Sequence, residues 1–339
     1  MEFKSIRKIS RLLDPRAGFV ETRVESEVRF HPLTGRTSRV AHFSLHGASR
    51  PDPGELIAAT REKCPFCPQA VDRVTPMFPA DIVPQGRLRR NEATVVPNLF
   101  PYDAYSALTI MTRDHYVPLS AFTEERLSDA FALSLAFLDQ AGRDDPEAAF
   151  GLINWNYMPY SGGSQIHPHL QVYATATPGN LLSAEIEASR VYQERNGRNF
   201  WADLITAEQE AGERWLGAVG NTYWCTAFAP LGVLGDILAV FPDSRSCRDL
   251  TPGQIGDLAR GLLKVFAYYE SAGIGSFNLA FYPGPQGQDY FWTHAVVSAR
   301  TSINPVVHAS DINTLQHLYG EPFCVVTPEE LARKVRAFF

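Results

Sequence analysis

The sequence lacks three features that would place it in familiar classes of protein. No apolar run is long enough for a transmembrane helix, and the first residues lack the apolar core of a signal peptide. Basic residues are not in excess, because 31 lysines and arginines stand against 37 acidic residues. The net charge of −6 disfavours general binding to nucleic acids or anionic membranes. We therefore expect a cytoplasmic protein with no nucleic-acid partner and no membrane partner.

Cysteine is scarce, and its number excludes a disulfide framework. The 339 residues include five cysteines, three of them scattered. The other two stand in Cys64-Pro65-Phe66-Cys67, a spacing used by zinc sites and also by redox pairs. A proline follows each of these cysteines, unlike the strand-to-helix turn of a thioredoxin-like pair. With His115 and His167, the two thiolates would complete a tetrahedral metal site.

The most informative stretch is residues 161–171, which reads Ser-Gly-Gly-Ser-Gln-Ile-His-Pro-His-Leu-Gln. In an extended segment, residues two apart share a face, so His167, His169 and Gln171 would point into one site. The glycine-rich turn before them would offer free backbone N–H groups to a phosphate ester, and a neutral imidazole can attack phosphorus. The alternative is a strand that carries two surface histidines.

Five motifs together resemble the galactose-1-phosphate uridylyltransferase branch of the histidine-triad superfamily. They follow the order and approximate spacing of that family: Arg29-Phe30-His31-Pro32-Leu33-Thr34-Gly35, Cys64-Pro65-Phe66-Cys67, Asn98-Leu99-Phe100-Pro101, Arg113-Asp114-His115, and residues 162–171. The resemblance covers about the first half of the chain and continues weakly to the C-terminus. It implies an enzyme that acts on nucleotides, and a homodimer.

The resemblance also implies roles for single residues. His169 matches the nucleophile that takes up a nucleotidyl group, and Gln171 matches the glutamine of transferases and related phosphorylases, where hydrolytic members carry histidine. His167 matches a ligand of one structural Zn²⁺, beside Cys64, Cys67 and His115. The remaining candidates would contact the nucleoside, the phosphates or the nucleophile: Asn98, Asn156, Ser161, Gly162, Gly163 and Ser164.

A weak internal repeat predicts an α+β fold of two tandem units, each an antiparallel sheet with packed helices. We place an N-terminal catalytic unit with the zinc site at residues 1–178 and a C-terminal unit at residues 179–339, joined in one continuous sheet. The repeat aligns His167 with His294 and His169 with Val296, so the second unit would have lost the nucleophile. Residues 184–214 are expected to form surface helices in which Glu185 is solvated.

The expected reaction has two steps and ping-pong kinetics. A nucleotide sugar or related donor transfers a nucleoside monophosphate to His169, and a phosphorylated acceptor such as a sugar 1-phosphate removes it. One alternative is a phosphorylase that splits a nucleotide sugar or dinucleoside polyphosphate with inorganic phosphate. It is favoured by His317 and Phe323, which align with a hexose-binding glutamate and glutamine of sugar-specific members. A second alternative is a nucleotide-binding protein without turnover.

Arginine side chains could hold the phosphates in any of these cases, because a guanidinium donates two parallel hydrogen bonds to phosphate oxygens. The candidates near the N-terminus are Arg29, Arg39 and Arg50.

Overall fold

The computed structural model describes residues 1–41, 52–304 and 309–339. These residues form sixteen strands: β1 (Ser5–Asp14), β2 (Val20–Phe30), β3 (Thr37–Ala41), β4 (Leu88–Arg90), β5 (Ala93–Pro97), β6 (Tyr105–Ile110), β7 (Phe150–Tyr157), β8 (His169–Thr175), β9 (Trp215–Val219), β10 (Thr222–Thr226), β11 (Asp236–Val240), β12 (Phe277–Tyr282), β13 (His294–Ala299), β14 (Ser302–Asn304), β15 (Ala309–Ser310) and β16 (Phe323–Cys324). They also form eight α-helices: α1 (Gly54–Arg61), α2 (Val71–Val74), α3 (Glu124–Asp144), α4 (Asn180–Asn196), α5 (Phe200–Ala211), α6 (Pro252–Ser271), α7 (Thr314–His317) and α8 (Pro328–Val335).

Ten strands form one antiparallel sheet in the order β4-β5-β6-β8-β7-β12-β13-β11-β10-β9. The first five in this order come from the N-terminal half of the chain and the other five from the C-terminal half. The halves meet where β7 pairs with β12, with Asn156 opposite Asn278. The predicted α+β class and the predicted continuous sheet are both confirmed.

Helices α3 and α6 pack against each other on one face of this sheet. Each begins at a threonine that accepts a hydrogen bond from the backbone N–H three residues later, which replaces a bond that the first turn of a helix lacks. Because β7 alternates between buried and half-buried residues, Trp155 enters the core while Asn154 and Asn156 lie on the opposite face. That opposite face carries the candidate site.

Two different groups of residues pack against the face of the large sheet that is opposite to α3 and α6. In the N-terminal half, Phe66 and the two cysteines of the Cys-x-x-Cys motif pack with residues of β5 and β6. In the C-terminal half, α4 and α5 contribute a cluster that includes Phe200 and Trp201. The prediction that residues 184–214 lie on the surface is therefore wrong for α5, whose aromatic residues are buried. It is also wrong for Glu185, whose side chain is only 15% exposed.

The strand register corrects the predicted alignment of the two halves. Strands β8 and β13 each begin with a histidine, and these histidines occupy matching places in the sheet. His169 pairs with Ile110 at the end of β6, and His294 pairs with Val240 at the end of β11. The two strands also share one pattern of buried and half-buried residues. His294 is therefore the counterpart of His169, a place that the sequence alignment gave to Val296.

The surroundings of His294 are closed. Its ring stacks on Trp201 with centroids 4.0 Å apart and on Tyr282 with centroids 5.0 Å apart. Its Nε2 lies 3.3 Å from a carboxylate oxygen of Glu185. Two aromatic rings and a carboxylate thus contact this imidazole, which is only 2% exposed.

A second sheet, in the order β1-β2-β3-β16, joins the two ends of the chain, because β16 pairs in parallel with β3. Glu329 in α8 reinforces the connection by accepting hydrogen bonds from Arg29 in β2 and from Arg214 beside β9. Within the described ranges, no helix has the length and apolar content needed to cross a membrane.

Candidate active site

The imidazole of His169 is held in one tautomer by the backbone. Its Nδ1 lies 2.8 Å from the carbonyl oxygen of His167, so Nδ1 carries the proton and Nε2 keeps its lone pair. Burial lowers the pKa of His169, although the hydrogen bond to the carbonyl acts in the opposite direction. The lowered pKa favours the neutral imidazole, with its lone pair on Nε2.

Amide side chains lie beside this imidazole on the same face of the sheet. Gln171 is two residues further along β8, and Asn154 on β7 donates from Nδ2 to its Oε1 over 3.2 Å. This bond leaves the NH₂ group of Gln171 to donate elsewhere. Asn156 comes next on the same face of β7 and accepts a hydrogen bond from Asn278. The structure thus brings His169, Gln171 and Asn156 together.

The glycine-rich turn between β7 and β8 packs closely against the end of β7. A Cβ atom on Gly163 would lie 2.9 Å from the carbonyl oxygen of Asn156, so only glycine fits there without a shift. Gly162 has a φ of 87°, and Met158 has a positive φ of 66°, which is strained for a residue with a side chain. The hydroxyl of the buried Ser161 donates to the Met158 carbonyl over 2.6 Å and so steadies the turn. Ser164 is exposed at its outer end.

Asn98 lies apart from this group. It follows β5, and its backbone N–H donates to the carbonyl of Ser106, which pairs with Tyr173 in β8. Tyr173 is four residues from His169, or about 13 Å along the strand. The structure therefore places Asn98 toward the far end of β8, beside the exposed side chains of Leu99 and Phe100. Its predicted contact with the nucleoside stays a prediction.

The four predicted metal ligands come together beside the start of β8, on the same face of the sheet as His169. Their ligand atoms all lie within 4.8 Å of one another, and all four side chains are buried. The Cys64 sulfur is 3.5 Å from Nδ1 of His167, and the Cys67 sulfur is 3.5 Å from Nδ1 of His115 and 3.7 Å from Nδ1 of His167. A tetrahedral Zn²⁺ separates a sulfur and a nitrogen ligand by about 3.6 Å. The donor set and its spacing fit one zinc ion.

Further contacts turn both histidines toward the cluster. Nε2 of His115 lies 3.0 Å from the Thr60 hydroxyl, and Nε2 of His167 lies 2.8 Å from the Thr112 carbonyl. Nδ1 of each ring is thereby left to face the metal position. A metal-binding histidine usually donates its other ring N–H to a nearby acceptor, as these two do. His167 has a second task, because its own carbonyl fixes the tautomer of His169. The Cys/His cluster and His169 are therefore connected through one residue.

The predicted phosphate-binding arginines do not lie free near His169. Arg29 is buried and is hydrogen-bonded to Glu27 and Glu329. Arg39 forms an ion pair with Glu321, with the charged atoms 3.1 Å apart. Arg50 lies outside the described residues. Arg29 therefore stabilises the fold through these ion pairs and is not available to bind a phosphate.

Sequence reasoning missed two residues of the site, Asn154 and Asn278. Asn154 could have been found, because alternation along β7 places it on the same face as Asn156. Asn278 could not, because its contact depends on the pairing of β12 with β7, across the joint between the halves.

A relative of this chain is known from sequence. An uncharacterized protein from Archaeoglobus fulgidus is 30% identical over 338 residues, which cover 99% of this chain and 98% of that protein. The two proteins belong to one family. No protein-family model matches the chain.

Solved structures identify the fold. A GalT-like protein from Arabidopsis thaliana matches with a TM-score of 0.71 at 16% identity, over 91% of this chain and 98% of that one. The chain therefore has a GalT-like fold. An ADP-glucose phosphorylase from A. thaliana with bound ADP-glucose shares the GalT-like fold, with a TM-score of 0.70, 16% identity and coverage of 92% and 98%. A uridylyltransferase does so with a TM-score of 0.65, 20% identity and coverage of 92% and 97%.

Proposed function

We propose that this protein is a nucleotidyltransferase that works through a covalent nucleotidyl-His169 intermediate. The observation that carries the proposal is the hydrogen bond from Nδ1 of His169 to the His167 carbonyl, which leaves Nε2 as a neutral nucleophile. The amides of Gln171 and Asn156 stand on the same sheet face, where they would bind phosphoryl oxygens without giving up a proton. The GalT-like fold agrees with this chemistry.

In the first step, the Nε2 lone pair of His169 attacks the α-phosphorus of a nucleotide sugar or related donor. An N–P bond forms, the bond from phosphorus to the bridging oxygen breaks, and a sugar 1-phosphate leaves with the electron pair. The imidazole becomes a cation, which the His167 carbonyl stabilises at Nδ1. In the second step, a phosphate oxygen of the acceptor attacks the same phosphorus and releases His169.

We further propose that Cys64, Cys67, His115 and His167 bind one Zn²⁺ per chain. All four ligand positions would be taken by protein, so the ion would act as a structural centre. His167 would connect this centre to the nucleophile, because its carbonyl accepts the hydrogen bond that orients His169.

The division into a catalytic unit at 1–178 and a second unit at 179–339 is part of the same proposal. The second unit would supply no nucleophile, because its counterpart histidine, His294, is enclosed by Trp201, Tyr282 and Glu185. The cytoplasmic location, the homodimer and the absence of nucleic-acid and membrane partners stay predictions.

A phosphorylase is the second candidate, and the residues aligned with hexose contacts favour it. His317 is exposed at the end of α7, and Phe323 pairs with Arg39 in the small sheet. Neither supplies the glutamate or glutamine hydrogen bonds of the sugar-specific members. Inorganic phosphate would then replace the sugar phosphate in the second step.

Product analysis by ³¹P nuclear magnetic resonance tests both candidates. The protein is incubated with UDP-glucose or ADP-glucose and with galactose 1-phosphate or inorganic phosphate. A new nucleotide sugar is expected for the transferase, whereas a nucleoside diphosphate and glucose 1-phosphate identify the phosphorylase. Parallel lines in two-substrate kinetics would support the covalent intermediate. If no donor is consumed with any acceptor, both proposals fail and a binding protein without turnover remains.

A further inference from the structure

The joint between the two halves of the sheet lies directly beside the candidate site. On β12, Asn278 donates from Nδ2 to Oδ1 of Asn156 over 2.6 Å and to the carbonyl of Ser161 over 2.9 Å. Both hydrogens of its amide are thereby used. One side chain of the C-terminal half therefore holds both a candidate phosphate-binding residue and the turn that precedes His169.

Arg300 fixes the direction of these hydrogen bonds. Its Nη1 donates to Oδ1 of Asn278 over 2.6 Å, and a guanidinium has donors only. The oxygen of Asn278 must therefore face Arg300, and its NH₂ must face Asn156. Asn156 in turn must present its oxygen to Asn278, so its own NH₂ points away from that contact. The two ends of an amide have similar shapes, so neighbouring groups must decide its orientation, and here a neighbour without acceptors does so.

Arg300 is itself held firmly. Its Nε lies 3.0 Å and 2.9 Å from the two carboxylate oxygens of Asp311, and a second nitrogen contacts the same group. Asp311 is only 2% exposed and also accepts from the backbone N–H of Thr301. A bidentate pair between a buried carboxylate and an arginine has a well-defined geometry. The orientation set by Arg300 is thus anchored inside the C-terminal half.

We propose that Asn278, held by the Arg300–Asp311 pair, is a positioning residue that turns the amide NH₂ of Asn156 toward the phosphate of the nucleotide. An NH₂ group binds an anionic phosphate oxygen, whereas an amide oxygen repels it. The inference rests on the proposed function in one respect, the contact of Asn156 with phosphate. It gives the C-terminal half a role in the reaction through orientation, without a nucleophile of its own.

Two substitutions separate orientation from simple structural support. Asn278→Asp keeps an acceptor for Arg300 but removes the donor to Asn156, whose amide is then expected to rotate and present its oxygen to the phosphate. Asn278→Ala removes the contact without imposing the reversed orientation. A merely structural role predicts that the aspartate variant is the milder one, because it retains the bond to Arg300. An orientation role predicts the reverse.

The measurements are the affinities for UMP and AMP by titration calorimetry and the rate of His169 labelling by UDP-glucose and ADP-glucose. We expect N278D to bind the preferred nucleotide roughly tenfold to a hundredfold more weakly than the wild type, and more weakly than N278A. Its thermal unfolding midpoint should be no lower than that of N278A. In an N156A background, N278D should change affinity less than twofold, because its effect acts through Asn156.

The outcomes distinguish this inference from the proposed function. Wild-type affinity in N278D, or N278D binding more tightly than N278A, would overturn the positioning role even if the wild type is labelled. An equal loss in the N156A background would assign the effect to direct charge repulsion and would also overturn it. Nucleotide binding without labelling of the wild type would contradict the covalent mechanism alone. A wild type that binds neither nucleotide would contradict both.

Discussion

At the scale of single residues, the donors and acceptors around His169 determine which chemistry is available. Gln171 accepts from Asn154, and we propose that its NH₂ donates to a phosphoryl oxygen. Gln171→Glu replaces that donor with a carboxylate of nearly the same shape. We expect the rate of His169 labelling to fall by about a hundredfold to a thousandfold, the usual loss for one donor in such a site. Mass spectrometry of samples quenched at successive times would measure this labelling rate. Labelling at the wild-type rate would exclude Gln171 from phosphoryl binding.

Single residues also show where the sequence was sufficient. Alternation along an extended segment predicted that His167, His169 and Gln171 point into one site. Strand β8 begins at His169 and carries Gln171 on the same face, whereas Nδ1 of His167, just before the strand, faces the cysteine sulfurs. The direction of an amide could not be predicted, because asparagine presents a donor and an acceptor of similar shape. Only the position of Arg300, distant in sequence, decides it for Asn278.

At the scale of elements, the Cys/His cluster connects the Cys-x-x-Cys segment to His115 after β6 and to His167 before β8. Cys67→Ser should lower the zinc content from one ion per chain toward none and destabilise the N-terminal half, since a structural zinc contributes to folding. Inductively coupled plasma mass spectrometry and thermal unfolding would measure these effects. The matched control is Cys225→Ser, a buried cysteine of β10 outside the cluster, which should keep its zinc. Equal zinc content in both variants would contradict the assigned ligands.

The elements also show why the sequence alignment of the two halves was shifted. Side chains in a strand repeat every two residues, so a shift of two residues leaves every side chain on the same face. The pattern of apolar residues in β13 therefore could not distinguish His294 from Val296 as the counterpart of His169. Pairing with β11 resolves the choice, because it places His294 opposite Val240. Register depends on partners that are remote in the chain.

At the scale of the whole molecule, Glu329 links the N-terminal strands, the C-terminal helix and the large sheet. Burial alone would raise the pKa of this carboxyl, but hydrogen bonds and charge from Arg29 and Arg214 outweigh burial and lower it. Glu329→Gln should reduce the free energy of unfolding by about 2 kcal/mol at pH 7, as for hydrogen bonds to charged groups. Denaturant unfolding would measure it. The control is Glu330→Gln, which affects a surface pair with Lys334 and should cost less than about 0.5 kcal/mol.

The pH dependence of this effect has a definite sign. A carboxyl whose pKa is lower in the folded protein stabilises the fold above its ordinary value of about 4.5. The stability difference between wild type and E329Q should therefore be constant at neutral pH and should disappear as the pH falls through the lowered pKa. A difference that grows on acidification would contradict the assigned ion pairs.

The central claim is that His169 carries the nucleotidyl group, and the most direct test is the mass of the intact protein. The wild type and His169→Asn are incubated separately with UDP-glucose, ADP-glucose and diadenosine tetraphosphate, before any acceptor is added. We predict an acid-labile gain of one nucleoside monophosphate in the wild type, mapped to the peptide that contains His169, and no gain in the variant, which keeps its zinc. An equal gain in the variant, or none in the wild type with any of the three donors, would contradict the account.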